Sequence, residues 1–280
     1  MPCSQCEHRS TTSAGAPCPA CTGQNAAAAP AAPAAPVTTL TPTPAPPPGV
    51  VGSGVLRSPV GLGRAAMILL LLVAVADVAS ITATFNMRRL MTGVLDGGFA
   101  DDGFVAVSER DADFADAMMA VTSFAGMALV LATMVVFIIW FHRVRCNAGV
   151  FATDWFTNGT GMAIGSWFIP IGNLWIPRRV AVETWTASRA DHLAHSRQEP
   201  ITLVNAWWTA WLITICLGRV AGRLYDRAET PGEIVSAADF LVAADVTNIV
   251  AAVLAILFVR RLTHMQHTKA LALSQAPRTV

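Results

Sequence analysis

The amino-acid sequence predicts an all-α membrane protein: about four transmembrane helices, a re-entrant or interfacial segment among them, and a small N-terminal zinc knuckle. Three observations carry that prediction. The chain has 280 residues, 54% hydrophobic and only 13% charged, about half the charged share of an ordinary soluble domain. Its apolar residues gather in four runs approaching the roughly 20 residues that a hydrocarbon core demands. Its first 23 residues carry two CxxC pairs. The formal net charge is +1, so there is no global basic field and no nucleic-acid partner is expected.

Residues 1–23 read as a four-cysteine, zinc-ribbon-like module. Cys3 and Cys6 form one knuckle, and Cys18 and Cys21 form the second after an eleven-residue spacer. Two intervening residues let both sulfurs of a pair face one ion, and two such pairs make a tetrahedral thiolate site for Zn2+. Four protein ligands leave no open position, so the metal is expected to be structural. Residues 24–64 are dominated by Ala, Pro, Thr, Gly and Val, with Pro46, Pro47 and Pro48 in succession. Such a stretch has little to bury against its ordering entropy, and it reads as a disordered Ala/Pro-rich linker. No apolar h-region stands in residues 1–60, so insertion is expected to rely on the first spanning run.

The transmembrane helical domain is expected over 65–262. Its first run is Ala65 to Phe85, followed by a polar stretch at 92–116 that holds seven acidic residues. The second run, Ala117 to Phe141, ends in FIIWF, an interfacial aromatic belt. The third runs from Leu203 to Gly218 with Trp207, Trp208 and Trp211, and the fourth from Val235 to Val259. Between the second and third lies Gly161 to Ile176, apolar but broken by Pro170, Gly172 and Asn173. Sixteen helical residues reach only about 24 Å, so this stretch is expected to re-enter or lie at the interface. Pro177 suits the first turn of a helix along the surface. Residues 263–280 read as a cytoplasmic tail.

Arg and Lys set the orientation. Six lie between the second and third runs and four follow the last run, against three in each remaining loop. Both termini and the long middle loop are therefore expected in the cytoplasm, with the chain in the cell membrane. A reducing compartment also suits free thiolates.

Three carboxylates fall inside apolar runs: Asp77, Asp239 and Asp245. A charge there costs about 2.5–3.5 kcal/mol on insertion scales, so each should face the bundle and find a partner. Arg219 and Arg223 are the candidates for Asp239 or Asp245. Arg143 and Asn147, one turn apart, share a helix face. With Asn173 they form an expected polar cluster at the cytoplasmic mouth. Cys146 and Cys216 read as buried thiols.

One segment carries a resemblance. Phe137-x-x-Trp140-x-x-Arg143-x-x-x-Asn147-Ala148 precedes the unbroken string WFIPIGNLWIP, Trp167 to Pro177, and Trp185 follows. This resembles the bacterial membrane-protein family known as domain of unknown function 4328, over about Ala65 to Leu262. The resemblance implies a multi-pass membrane protein and no substrate. Ile176 departs from the pattern, in which a polar residue often precedes the proline.

No HExxH, GxSxG or Walker A motif is present, and no enzyme is expected. The expected function is a non-enzymatic scaffold or regulator. The bilayer holds its bundle, and a cytoplasmic protein docks on its zinc module. The alternative is a transporter or channel-like component using the intramembrane Asp residues. The spacings Gly161-x-x-x-Gly165 and Gly218-x-x-x-Gly222 would admit a homo-oligomer.

Overall fold

The computed structural model of the chain describes residues 55–97, 109–152, 156–189 and 200–275. Cys3, Cys6, Cys18 and Cys21, and the linker up to residue 54, lie outside the described residues. The described chain contains helices and no strand. In order they are α1 (Val60–Gly97), α2 (Glu109–Phe151), a single turn α3 (Met162–Gly165), a 3-10 turn (Gly172–Leu174), α4 (Ile176–Ala187), α5 (Thr202–Asp226) and α6 (Pro231–Gln275).

Helices α1, α2, α5 and α6 are long and apolar enough to cross a membrane. All extend beyond the runs read from hydropathy. Helix α1 begins at Val60 and α2 at Glu109, so both helices reach into the polar stretch at 92–116. Glu109 and Asp111 in the first turn of α2 complement its positive end. Helix α6 continues to Gln275, through much of the expected tail. The cause is packing: Leu262, Thr263 and Gln266 remain buried past Arg260 and Arg261, so one face of the extension is still core.

The spanning helices form a row, α2–α1–α6–α5, in which each neighbour runs antiparallel to the next. Helices α2 and α5, at the two ends of the row, barely approach one another through their backbones. The stretch from α3 through α4 bridges them at one end only. That end bears the Arg-rich middle segment and the α6 extension.

The best-packed core also lies there. Phe137, Trp140, Phe141, Trp185, Trp207, Trp208 and Phe258 are all buried. Trp207 stacks on Phe258 with ring centroids 4.6 Å apart and planes 8° from parallel. Trp167 meets Phe137, Phe141, Trp208 and Trp211 at 5.7–6.1 Å. Between helices in lipid the hydrophobic effect contributes little, so interlocked rings supply the dispersion that holds the bundle. Toward the far end of the bundle the helices present bare apolar chains outward, such as Val121 and Phe124 at 66% and 79% exposure. These are surfaces that acyl chains cover.

The stretch at 161–176 does not form a helix of spanning length. Its turns break at Pro170 and reform at Gly172, where a side chain would have little room. A Cβ on Gly172 would stand 2.7 Å from Ile176 Cδ1 and 2.8 Å from Ile169 Cγ2. Trp208 Nε1 donates to the Leu174 carbonyl at 3.1 Å, pinning the 3-10 turn to α5. Phe168, Ile169, Ile171 and Trp175 project outward around this turn.

Candidate functional site

Three constellations of polar groups stand out. The first is a junction where the chain entering α1 meets α2, α4 and α6. Asn147 is buried on α2. Its Oδ1 accepts the Arg57 backbone N–H at 3.1 Å, and its Nδ2 donates to the Arg57 carbonyl at 2.8 Å. The same Nδ2 reaches Gln266 Oε1 at 3.2 Å. Gln266, also buried, donates to the Val144 carbonyl at 2.7 Å and to Ser188 Oγ at 3.0 Å. Ser188 caps α4, donating to the Thr184 carbonyl. Lys269, the only lysine of the chain, donates to the carbonyls of Ala187 and Arg189 at 2.7 and 2.9 Å. A cation at a helix C-terminus satisfies orphan carbonyls and complements the dipole.

Arg143 joins this junction, donating to the Ser58 carbonyl at 3.3 Å. Asn173 does not: with Trp167 it lines a cavity bounded by all four spanning helices. The expected Arg143–Asn147–Asn173 cluster is therefore divided between two places. The break after Pro170 and the tie to Trp208 carry Asn173 away from α2's polar end. Arg145 is the buried arginine of the region. Its guanidinium stacks 3.4 Å above the Phe156 ring and donates to the Asn158 carbonyl at 2.6 Å, fixing the turn before α3.

The second constellation is a polar seam between α1 and α6. Asn248 Nδ2 donates to Asp77 Oδ2 at 2.9 Å. Ser80, one turn along α1, faces Asp245, one turn back on α6. Further along, Arg88 Nε meets Asp239 Oδ1 at 2.9 Å. Toward the opposite end, Trp140 Nε1 donates to Thr263 Oγ1 at 3.1 Å, beside Gly63, where a Cβ would come within 2.8 Å of that hydroxyl. The partner of Asp239 thus comes from α1 and not from Arg219 or Arg223, and Asp245 likewise faces α1. Antiparallel pairing of α1 with α6 turns the acidic face of α6 toward α1.

The third is a half-open cavity of about 310 Å³ inside the row. All four spanning helices line it, including Val73 of α1, Thr133 and Phe137 of α2, Trp207 and Trp211 of α5, and Asn248 and Ala252 of α6. Trp167 and Asn173 close its aromatic end. Among the described residues no charged side chain lines it.

Other expectations find different places. Cys146 is half-buried, whereas Cys216 is exposed on α5. A thiol is a small apolar group that lipid solvates as readily as protein does. A Cβ on Gly161, Gly165, Gly218 or Gly222 would meet nothing within 4 Å, so none of these glycines serves a close helix approach within the described chain. Among the described residues no group of three or more His, Cys, Asp or Glu is placed to hold a metal.

Gln266 and Lys269 are structurally decisive residues to which sequence reasoning gave no structural role. For both a signal existed. Leu262, Thr263, Gln266 and Lys269 continue a 3–4 spacing past the arginines, the mark of a helix face that stays buried.

Four apolar helices bridged at one end by a broken aromatic segment define a multi-pass, all-helical membrane protein. The string from Trp167 to Pro177 sits at the centre of that bridge. The chain belongs to the family described as Domain of unknown function (DUF4328), whose model matches residues 104–264. The match opens just before α2, so the family domain begins later than the expected Ala65 and leaves α1 outside it. No curated protein and no solved structure matches the chain.

Proposed function

We propose that the protein is a non-enzymatic membrane scaffold or regulator of the cell membrane. Both termini lie in the cytoplasm, where a four-cysteine zinc module presented on a tether recruits a protein partner. The observation that carries this reading is the double hydrogen bond between Asn147 and the Arg57 backbone. It fastens the last segment of the tether, at Arg57, to α2. Through Gln266 and Ser188 it also fastens that segment to α6 and α4. A load on the tether therefore reaches the buried core of the bundle before it reaches α1. The spacing of Cys3, Cys6, Cys18 and Cys21 supplies the metal ligands.

The experiment is elemental analysis of the full-length chain purified in detergent, with cysteine-accessibility labelling in sealed vesicles. The expected result is a single bound zinc ion per chain, lost in the C3S/C6S variant while the bundle stays monodisperse. The cysteines should be labelled only from the cytoplasmic face. A metal-free native chain, or zinc retained by the double variant, would overturn the reading.

The alternative is a transporter or channel-like component using Asp77, Asp239 and Asp245. The seam weighs against it, because Asp77 and Asp239 already have partners across the α1–α6 contact. A proton- or potential-driven flux in liposomes, abolished by Asp77→Asn, would reverse that preference.

A further inference from the structure

We propose that the groove between the start of α5 and the end of the α6 apolar run binds the phosphate head of a membrane phospholipid of net negative charge. Three cations define the place of the head. Arg260, Arg261 and His264 line a groove of about 750 Å³, and all three are exposed. They stand three and four positions apart on α6, so they share one face. Thr202, in the first turn of α5, lines the same groove. So does Trp185 of α4, buried and stacked on Phe258 with ring centroids 5.9 Å apart. Among the described residues no carboxylate lines the groove. Its volume falls within the roughly 300–1,000 Å³ of ligand clefts.

Charge then selects the head. Arginine presents planar forks of N–H donors that match the oxygens of a phosphate. The N-cap of α5, Ile201, makes no side-chain cap, and the positive end of that helix adds to the attraction for an anion beside Thr202. A zwitterionic head brings its own cation into a cluster of cations, which repel it. A head with net negative charge brings none.

The tail distinguishes a lipid from a soluble phosphate. Leu257 lines the groove and is 44% exposed. Val246, Val250 and Val253, each about half exposed, continue the same face of α6 away from the cations, again at spacings of three and four. From Val246 to Leu257 the helix rises about 17 Å, close to half of the roughly 30 Å hydrocarbon core. An acyl chain of one leaflet therefore lies along this stripe when its head rests at Arg260. A free phosphate would use the cations and leave the stripe idle. The inference is independent of the zinc module and rests on the four apolar helices crossing the bilayer.

The test uses the full-length chain in phosphatidylcholine nanodiscs doped with one of two probes, a phosphatidylglycerol or a phosphatidylcholine carrying the same acyl-chain diazirine. Cross-linked residues are identified by mass spectrometry. The phosphatidylglycerol should label Val253 and Leu257 about tenfold more than the phosphatidylcholine does, the span of one hydrogen bond to a charged group. The two probes should label Ile139, exposed on α2, equally. Arg260→Gln should remove most of the excess, and Arg179→Gln, which alters an exposed cation of α4 outside the groove, should leave it unchanged. Millimolar inorganic phosphate should compete no better than sodium chloride of equal ionic strength. If Arg260→Gln does not fold, the contrast between Leu257 and Ile139 on the unaltered chain decides the matter. Equal labelling by the two lipids at Leu257, or the same excess at Ile139, would overturn the proposal. So would equal losses in the two variants, which would mark a general effect of surface charge, or specific competition by phosphate, which would make the occupant a soluble anion.

Discussion

Asn147 treats the backbone of Arg57 as a neighbouring strand would, accepting its N–H at 3.1 Å and donating to its carbonyl at 2.8 Å. The two residues lie far apart in sequence, and Arg57 lies just before α1. A side-chain amide carries a donor and an acceptor side by side, so it satisfies both edges of a peptide at once. This contact therefore replaces the secondary structure that residues 55–59 lack.

Asn147→Leu keeps the bulk and removes every hydrogen bond. It leaves Gln266 Oε1 without its Asn147 partner in a buried setting and releases the half-buried Arg57 backbone. Each buried polar group left unpaired costs about 1–3 kcal/mol. A fall in thermal midpoint in detergent is expected, together with faster proteolysis just before Val60. An unchanged cleavage rate there would mean that the junction does not hold the segment.

Lys269 makes a second prediction. Lys269→Met removes the cation from the carbonyls of Ala187 and Arg189. The loss should be about 0.5–2 kcal/mol, the range for a favourable charge at a helix C-terminus. Hydrogen exchange should accelerate in α4 and leave α1 unaltered. Lys269→Arg, which keeps the charge, should recover most of the protection.

How much of this was legible in sequence follows from which force acts where. Lipid solvation acts on composition, so the four spanning helices could be read from apolar runs alone. Side-chain packing acts on individual shapes, and composition is blind to it. The α6 extension looked like tail because His264, His267 and Lys269 are polar, yet the face bearing Leu262 and Gln266 is core. Asp77 was recognisable as a buried carboxylate, but its partner Asn248 was not. Pairing depends on the register of α1 against α6, which no local pattern encodes. Asn173 was recognisable as a polar group in a broken segment, while its location depended on Trp208 reaching the Leu174 carbonyl.

Gly172 is expected to be intolerant of a side chain. The added Cβ of Gly172→Ala would meet Ile176 Cδ1 and Ile169 Cγ2 below 3 Å. Overpacking of this kind costs about 1–3 kcal/mol. The flexible end of Ile176 can move aside, but Ile169 Cγ2 is fixed near the backbone. Ile169→Ala should therefore rescue the glycine variant, and Ile176→Val should rescue it less. Equal stability of Gly172→Ala and the native chain in thermal unfolding would show that the turn adjusts freely.

The seam offers the sharpest separation of structure from transport. Asp77→Asn keeps a side chain of the same shape, and its amide oxygen can still accept from Asn248. Asp77→Leu leaves Asn248 Nδ2 unpaired in the α1–α6 contact. If the carboxylate is there to join helices, Asn should be nearly neutral in thermal unfolding. Leu should cost about 1–3 kcal/mol, as for other buried groups stripped of a partner. The Leu variant should also be restored by Asn248→Leu, because two apolar groups of similar shape replace a hydrogen-bonded pair at little cost. A carboxylate needed for its charge behaves otherwise: Asn would then be as damaging as Leu, and no change at Asn248 would repair either. Measuring the four proteins side by side distinguishes a polar contact between helices from a group that must ionise.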